Sequence, residues 1–349
     1  MANIVAIGNA LVDREYRLND TELHNTGLTK GNMTLASSAD QQTLLDRLAN
    51  VQLCPVKQAS GGSAANTVYA AACLGSDTFY ACRVGDDEAG QFYLADLNAA
   101  GVATSNQSIA LGGTTGSCVV LVTPDGERTM QTHLGTSAEI GRDDIDFSQL
   151  SNAQWLYFEG YLAMSATMQP ALAALKDHAR AHNIKIVVSF ADPSVIKFAR
   201  EGLDAMLAGG VAAVFCNVEE AQLYTGKHNQ AQAAEALLAV AELAVVTAGA
   251  QDTIIACRAP TSHHSSHDNN TPNELMSVPT ALVNELINTN GAGDSFAGAF
   301  LHGLACGYDL TTCGKIASAV AGEVVQTFGA RLTPEAYRHA MQRAFTETP

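Results

Sequence analysis

Short apolar runs alternate with helix-like segments along most of the 349-residue chain. The runs typical of buried strands cover residues 4–8, 78–82, 155–158, 185–189, 211–216 and 243–247. The helical segments cover residues 64–74, 88–100 and 168–182, and a further helix starts near residue 219. Such alternation predicts a parallel sheet with helices on both of its faces. The length allows two domains, although α/β folds of this size are often one domain with additions.

One stretch departs from this alternation. Residues 114–122 and 128–133 flank the sequence Thr-Pro-Asp-Gly-Glu, which is typical of a hairpin. Residues 16–18 could add a strand beside it, and a small sheet projecting from an α/β body would serve as a lid. Residues 259–274 are expected to form a polar surface loop. The same loop contains three histidines that we expect to be solvated, because no carboxylate or cysteine framework suggests a metal site: His263, His264 and His267.

The charge balance limits the classes of partner. The chain has 19 Lys and Arg against 35 Asp and Glu, a net charge of −16. Such a surface repels nucleic acid and anionic membranes, so we expect neither as a partner. No basic region precedes the first apolar run, and no apolar stretch is long enough to span a bilayer. The eight cysteines have no C-x-x-C spacing, which favours the reduced thiols of a cytoplasmic protein over zinc or a disulfide framework.

Residues 288–294, Asn-Thr-Asn-Gly-Ala-Gly-Asp, form a glycine-rich loop that leads from a strand-like run at 283–287 into a helix. The first N–H groups of a helix have no internal partner and bind anions, above all phosphate. The carboxylate of Asp294 would repel a bound phosphate. Its position makes sense if Asp294 takes a proton while the N–H groups hold the charge of the transferred group. The segment therefore indicates phosphoryl transfer onto a hydroxyl. The alternative is a glycine-rich turn in which Asp294 only complements the helix dipole.

Two earlier segments have residue types that bind polyols. Gly61 and Gly62 open a helix that also contains Asn66, so their N–H groups and its amide could meet sugar hydroxyls. The alternative is an ordinary helix start. Asn9 and Asp13 follow the first strand, at the edge where ligands of open α/β sheets bind. They could hydrogen-bond a polyol or form a simple polar turn.

Two later strands also end in polar residues. Asn217 and Glu220 follow the strand at 211–216, and Glu220 could hold Mg²⁺ through water, because this cation keeps its waters and takes few carboxylates. The alternative is a helix N-cap followed by acids in the first turn. Thr247 and Gly249 lie between two strands, in a turn that either contacts a nucleotide or is a plain hairpin.

In the order GG-x-x-x-N, N-x-x-E, T-x-G and T-x-G-A-G-D, these motifs resemble those of the ribokinase-like (PfkB) sugar and nucleoside kinases. The resemblance runs from residue 4 to about residue 330. Residues 8–13, 247–256 and 289–294 are most similar to the adenosine kinases of that family. The resemblance implies a ribokinase-like three-layer α/β/α sandwich with a small β-sheet lid. It further implies one kinase domain over residues 1–349, with lid segments at about 11–35 and 112–135.

The resemblance also implies roles for individual residues. Asp294 would be the base on the acceptor hydroxyl, and Arg128 on the lid hairpin would swing over the transferring phosphoryl group. The backbone N–H groups of the anion hole would come from Gly291, Ala292 and Gly293. The acceptor would be held by Asn9, Asp13, Gly61, Gly62 and Asn66. The surroundings of ATP and Mg²⁺ would be Asn217, Glu220, Thr247, Gly249 and Thr289.

The leading hypothesis is an ATP-dependent kinase of a nucleoside hydroxymethyl group, with adenosine as the first choice of substrate and AMP as the product. A sugar kinase for ribose or fructose would share the phosphate-handling residues, and a non-catalytic nucleoside-binding protein on this fold is a third hypothesis. Asn288 stands where the family usually has an acid, which puts in question a contact with a metal or with a monovalent cation such as K⁺. Monomer and homodimer both remain open. Candidates for the apolar slot of a nucleoside site are Leu11, Met33, Leu134 and Phe158.

Overall fold

The computed structural model describes residues 3–258 and 273–346. Within them the strands are β1 (Ile4–Ile7), β2 (Leu11–Arg17), β3 (Met33–Leu35), β4 (Lys57–Gly61), β5 (Thr78–Ala81), β6 (Val84–Gly85), β7 (Val102–Ala103), β8 (Ile109–Ala110), β9 (Gly116–Val122), β10 (Arg128–His133), β11 (Trp155–Glu159), β12 (Lys185–Ser189), β13 (Val211–Asn217), β14 (Ala241–Ala248), β15 (Gln251–Cys257) and β16 (Glu274–Val278). The α-helices are α1 (Asp20–Thr26), α2 (Ser38–Asn50), α3 (Ser63–Cys73), α4 (Glu88–Ala99), α5 (Phe147–Leu150), α6 (Met168–Ala181), α7 (Pro193–Phe198), α8 (Arg200–Leu207), α9 (Val218–Thr225), α10 (Gln230–Leu237), α11 (Ala292–Ala305), α12 (Leu310–Val324) and α13 (Pro334–Thr346). None of these helices is long and apolar enough to cross a membrane.

The body is a sheet in the order β16–β15–β14–β13–β12–β11–β1–β5–β7. The strands from β14 to β7 are parallel, and β15 and β16 add an antiparallel edge. Successive side chains of a strand point to opposite faces. Val5 and Ile7 therefore pack with α6, α8 and α10, whereas Ile4 and Ala6 pack with α3, α11 and α12. The predicted three-layer α/β/α body is confirmed.

The apolar runs predicted as strands coincide with β1, β5, β11, β12, β13 and β14. The strand predicted at 283–287 is wrong. Val283 and Leu286 are exposed, and the N–H of Ile287 donates to the carbonyl of Val325 at the end of α12 (2.8 Å). An apolar run becomes a strand only where a neighbouring strand satisfies its backbone, and here a helix end does so.

Most of the predicted polar loop lies outside the described residues. Its last residue with a described element, Glu274, begins β16. The histidines His263, His264 and His267 lie in the part that is not described. All eight cysteines fall within the described residues, and each is a free thiol.

The second sheet has the order β3–β10–β9–β2–β4. β9 and β10 form the predicted hairpin, and the strand predicted near 16–18 is the end of the longer β2. β4 pairs antiparallel with β2 at one edge, so this sheet includes residues beyond 11–35 and 112–135. Tyr16 and Leu121 pack on its outer face with Leu23 of α1 and Leu44 of α2. The sheet therefore has a small hydrophobic core of its own.

Helices α3 and α11 approach each other closely, through residues with small side chains. A Cβ atom at Gly298 of α11 would overlap the carbonyl oxygen of Thr67 in α3, and would lie 2.9 Å from the Cβ of Ala70. Ala64 and Ala71, also on α3, are fully buried. Close approach of two backbones requires such residues. It places the first turn of α11 beside the first turn of α3.

Candidate active site

Asp294 lies in the first turn of α11 and accepts two hydrogen bonds from α3. Ser63 Oγ donates to Oδ1 (2.7 Å), and Asn66 Nδ2 donates to Oδ2 (2.9 Å). Burial is the largest influence on this carboxyl and raises its pKa. The two donors, followed by the charges of Arg128 and Arg331, lower the pKa again. The result is a carboxylate in a fixed orientation, which is what a general base needs.

The start of α11 offers free backbone donors. Gly291 precedes the helix with φ 71°, a left-handed conformation that suits glycine, and a Cβ there would overlap the carbonyl oxygen of Ala330. Ala292 N–H makes only a long bond (3.4 Å) to the carbonyl three residues before it. Among the described residues, no acceptor pairs with the N–H of Gly293 or Asp294, and the space beside Gly293 is open. These N–H groups can bind an anion.

Asp13 on β2 faces the same place from the small sheet. It is buried, and a Cβ at Gly61 on β4 would overlap its carboxyl group. Burial raises the pKa of Asp13 to about 8; Glu15 and Asp294 add to this rise, and Arg331 opposes it. Near neutral pH the folded protein therefore holds Asp13 mainly as the neutral acid, which can both donate to and accept from a hydroxyl group.

Asn9 is tied to Glu159, a fully buried residue at the end of β11. Glu159 Oε1 accepts from the backbone N–H (2.8 Å) and Nδ2 (2.7 Å) of Asn9, and Oε2 accepts from the N–H of Ala64 at the start of α3 (2.9 Å). Burial raises the pKa of Glu159 to about 7, and these donors oppose the rise. The carboxylate of Glu159 thus connects the end of β1 to the start of α3. Gly62, which precedes α3, packs against the Asn9 carbonyl.

Arg128 connects the small sheet to the loop before α11. Its Nη1 donates to the carbonyl of Thr289 (3.0 Å), whose side chain is exposed. The Arg128 charge also lowers the pKa of Asp294. The structure therefore brings Arg128 to the edge of the site, bonded to the loop.

A second link between the small sheet and this loop joins Asn290 to Glu15. Asn290 Nδ2 donates to Glu15 Oε1 (3.2 Å), and burial raises the pKa of the Glu15 carboxyl. Asn288 Oδ1 accepts from the N–H of Asn290 (2.9 Å). The Asn288 side chain is fully buried, and its Nδ2 has no partner among the described residues.

Asn217 and Glu220 form a capping box at the start of α9. The backbone N–H and Nδ2 of Asn217 donate to the two carboxylate oxygens of Glu220 (both 2.9 Å), and Glu220 N–H donates to Asn217 Oδ1 (2.9 Å). Burial raises the pKa of Glu220 to about 7, and the charges of Asp192, Glu219 and Asp294 raise it further. These hydrogen bonds are those of a helix N-cap, which was the alternative prediction for Asn217 and Glu220. The surrounding negative charge also favours a cation nearby.

Thr247 and Gly249 lie at the same edge of the large sheet. Thr247 on β14 is paired in register with Asn217 on β13. Gly249 follows in the turn to β15 with φ 58°, facing open space. The structure therefore places Asn217, Thr247 and Gly249 together at this edge of the large sheet.

A cavity of about 250 Å³ lies beside the ends of β3 and β10. The carbonyl of Leu134, which lines it, and the side chain of Leu11 both adjoin Gly116. A second cavity, of about 450 Å³, shares His133 and Gly135 with the first. Phe158 points into the core of the body and is not available to a ligand. The lining of the smaller cavity is Leu35, Ala36, Ser37, Thr132, His133, Leu134, Gly135 and Ala138.

Several residues that hold the site together belong to none of the predicted site positions. Ser63 and Asn290 lie inside the glycine motifs, so their positions in the sequence could have indicated that they belong to the site. Glu159 and Arg331 contact α3 from 95 and 265 residues away in the chain. An isolated acid or arginine in a sequence does not indicate such a long-range contact.

Comparison with protein families gives a match to the family described as pfkB family carbohydrate kinase, over residues 40–336. An adenosine kinase of Saccharomyces cerevisiae is 28% identical over 94% of this chain and 96% of its own length.

Two solved structures share the fold over nearly the whole chain. One is described as an adenosine kinase from Sinorhizobium meliloti: it is 30% identical, with a TM-score of 0.87 over 98% of this chain and 99% of its own. The other, a probable sugar kinase from Rhizobium etli CFN 42, is also 30% identical, with a TM-score of 0.87 over 99% of both chains.

The raised pKa of Asp13 predicts how stability depends on pH. Between its ordinary pKa of 3.8 and its folded value of about 8, the folded chain holds a proton that the unfolded chain has released. The free energy of unfolding therefore falls as pH rises through this window, by at most about 1.4 kcal/mol per pH unit for one proton. We expect Asp13→Asn to flatten this slope, measured by urea unfolding at several pH values from 5 to 8.

The slope should remain partly present in Asp13→Asn, because the raised pKa values of Glu159 and Glu220 act in the same direction. Asp46→Asn, which changes an exposed acid on α2, is the matched control and should keep the wild-type slope. Equal slopes for Asp13→Asn and Asp46→Asn would contradict the assignment.

Proposed function

The chain belongs to the pfkB family of carbohydrate kinases, and we propose that within it this protein transfers phosphate from ATP to the 5′-hydroxyl of a purine nucleoside, adenosine first. The resemblance to this family that the motifs indicated is confirmed. The ribokinase-like fold is also confirmed, as is the chemistry, which is phosphoryl transfer to an alcohol group. The identity of the acceptor rests on the relatives described as adenosine kinases, which match over almost the full chain. We also propose that residues 1–349 act as one kinase domain, in the cytoplasm.

The observation that carries the proposal is the position of Asp294 beside free N–H groups. Ser63 and Asn66 hold the carboxylate, and the first turn of α11 provides N–H groups next to it that have no partner in the described part of the chain. In the proposed reaction Asp294 accepts the proton of the attacking hydroxyl, and the N–H groups of Gly291, Ala292 and Gly293 hold the charge on the transferred phosphoryl group. Positioning and electrostatics account for such catalysis, with little covalent chemistry for the protein.

We propose that the ribose binds between Asp13 and α3. Asp13 and Asn66 supply the polar groups, and the lack of side chains at Gly61 and Gly62 lets the Asp13 carboxyl group and the Asn9 carbonyl lie directly against this backbone. Asn9 contributes mainly by holding this edge in place, because its amide N–H is used by Glu159.

ATP would lie along the edge formed by Asn217, Thr247 and Gly249, with Thr289 at the loop before α11. Among the described residues no three acidic, His or Cys side chains form a direct metal cage, so Mg²⁺ near Glu220 would be held through water. The charges of Asp192, Glu219 and Asp294 add to the burial that raises the pKa of Glu220, and this negative charge suits a cation. The ion would neutralise phosphate charge when bound. Glu220 would orient its waters.

Arg128 is proposed to act when the small sheet closes over the acceptor. Its bond to the Thr289 carbonyl holds it within reach of the loop that leads to Asp294. Closure would exclude water, so that the phosphoryl group reaches the acceptor and is not hydrolysed.

The site at Asn288 does not suit a monovalent cation. Its side-chain oxygen already accepts from Asn290 N–H, and the group with no partner within residues 3–258 and 273–346 is the Nδ2 donor, which repels a cation. No step of the proposed reaction therefore uses K⁺ at this position.

We propose that the smaller cavity takes the base of a nucleoside. Leu35, Leu134 and Ala138 give it apolar walls, and Ser37 and His133 add polar groups at its rim. A purine base needs such a slot, whereas ribose alone does not. Leu11 and Met33, on β2 and β3, belong to the sheet that forms this wall.

Substitution of Asp294 by Asn tests the proposed base. We expect kcat to fall by a factor on the order of 10² to 10⁴, because an amide cannot take the proton. ATP binding, measured by calorimetry, should be largely kept, since the backbone donors remain. A variant with near wild-type turnover would show that Asp294 is not the base.

A coupled ADP-release assay with adenosine, inosine, guanosine, ribose and fructose tests the acceptor. We expect adenosine to give the highest kcat/KM, because only a nucleoside fills the slot. Turnover of a free sugar with no turnover of any nucleoside would reject the proposal in favour of a sugar kinase. Nucleoside binding without ADP release from any acceptor would favour a non-catalytic binding protein.

A further inference from the structure

Arg331 lies in the loop between α12 and α13, yet its side chain is 5% exposed and reaches α3. Its Nε donates to Asn66 Oδ1 and its Nη1 to Ser60 Oγ, both at 2.7 Å. The carboxylate of Asp96 is 3.5 Å from Nη1, and the guanidinium carbon is 4.3 Å from the ring centroid of Tyr69. These contacts hold the guanidinium in one orientation.

The contact with Asn66 determines which way its amide points. An asparagine side chain has an acceptor oxygen and a donor nitrogen, whereas a guanidinium can only donate. Arg331 therefore pairs with the oxygen, and the nitrogen must face the other way, where it donates to Asp294 Oδ2 (2.9 Å). Arg331 thus acts on Asp294 through Asn66, without touching it.

Within the described residues, Arg331 is also the one cation found to lower the pKa of both Asp13 and Asp294. A guanidinium stays charged at any working pH, so this influence is constant. The other charged or titratable groups that face these two carboxyls are Glu15, Cys118, Arg128, Tyr157, Glu159, Tyr161 and Glu220.

The small sheet holds the loop that carries Arg331. Lys57 Nζ on β4 donates to the carbonyls of Phe328 (3.3 Å) and Arg331 (3.0 Å). The guanidinium of Arg17 on β2 lies over the Phe328 ring, 4.2 Å from its centroid. The position of Arg331 therefore depends on the same sheet that carries Asp13.

We propose that Arg331 is a positioning residue for the transfer reaction: it orients the Asn66 amide that holds Asp294, and it supplies the fixed positive charge beside Asp13 and Asp294. This inference rests on the proposed function, because it concerns the same site. It adds a role for the loop after α12, which none of the sequence motifs includes.

Kinetics of Arg331→Gln and Arg331→Lys over a range of pH test the inference. For Arg331→Gln we expect kcat to fall by about 10- to 100-fold, as loss of positioning does, with the KM for ATP within about threefold of wild type. The acid limb of the kcat/KM profile should move up by about one pH unit, because a positive charge has been removed from beside the base.

Arg331→Lys separates orientation from charge. An ammonium keeps the charge but cannot form the planar pair of bonds to Asn66 and Ser60, so the acid limb should return towards wild type while kcat stays at least about fivefold low. Should Arg331→Gln fail to fold, this variant decides the question by itself. Wild-type kcat in Arg331→Lys would overturn the orienting role. Arg338→Gln, which changes an exposed arginine paired with Glu335 (3.4 Å), is the control and should match wild type.

A double-mutant cycle with Asn66→Ala gives a second readout. If Arg331 acts through Asn66, the double variant should lose no more than about threefold in kcat beyond Asn66→Ala alone. Additive losses with an unmoved acid limb would overturn the inference and leave a structural role. If wild type turns over a sugar and no nucleoside, the proposed function fails, and the same ratios measured on that sugar still test Arg331.

Discussion

The close contact between α3 and α11 is the constraint on which the site depends. Gly298 lets the backbone of α11 lie against the Thr67 carbonyl, and the alanines of α3 leave no bulk between the helices. Only at this spacing can Ser63 and Asn66, in the first turn and a half of α3, both reach Asp294. The two helices thus turn two separate glycine motifs into one arrangement of donors around a carboxylate.

Around this arrangement the protein buries several acidic side chains, and burial disfavours their charged forms. Burial raises the pKa values of Asp13, Glu159 and Glu220, and the charge of Asp294 adds to each rise. Backbone and amide donors offset part of this cost, and Arg331 offsets it near Asp13 and Asp294. Buried acids of this kind are expensive for folding and are typical of sites that bind cations, hydroxyl groups or transferred protons.

The sequence predicted the features that depend on local pattern. The strands β1, β5 and β11 to β14 follow from apolar runs, and the start of α11 follows from its glycines. The predicted strand at 283–287 failed because an apolar run does not show whether a partner strand is present. Asn217 and Glu220 were placed at a helix start, but only the structure shows that each already satisfies the other. Arg331 and Glu159 could not be predicted, because their contacts with α3 depend on how the whole chain folds.

The most direct test of this account is kcat/KM for Gly298→Ala. A methyl group at this position must push α11 away from Thr67, and a displacement of about 1 Å at the reacting groups can reduce the rate by as much as about 100-fold. Gly314→Ala on α12 is the control, because its Cβ would meet Val278 (2.8 Å) and not α3. We predict that Gly298→Ala loses far more kcat/KM than Gly314→Ala when both are measured well below their unfolding temperatures. Equal activity in the two variants would contradict the claim that helix spacing builds the site.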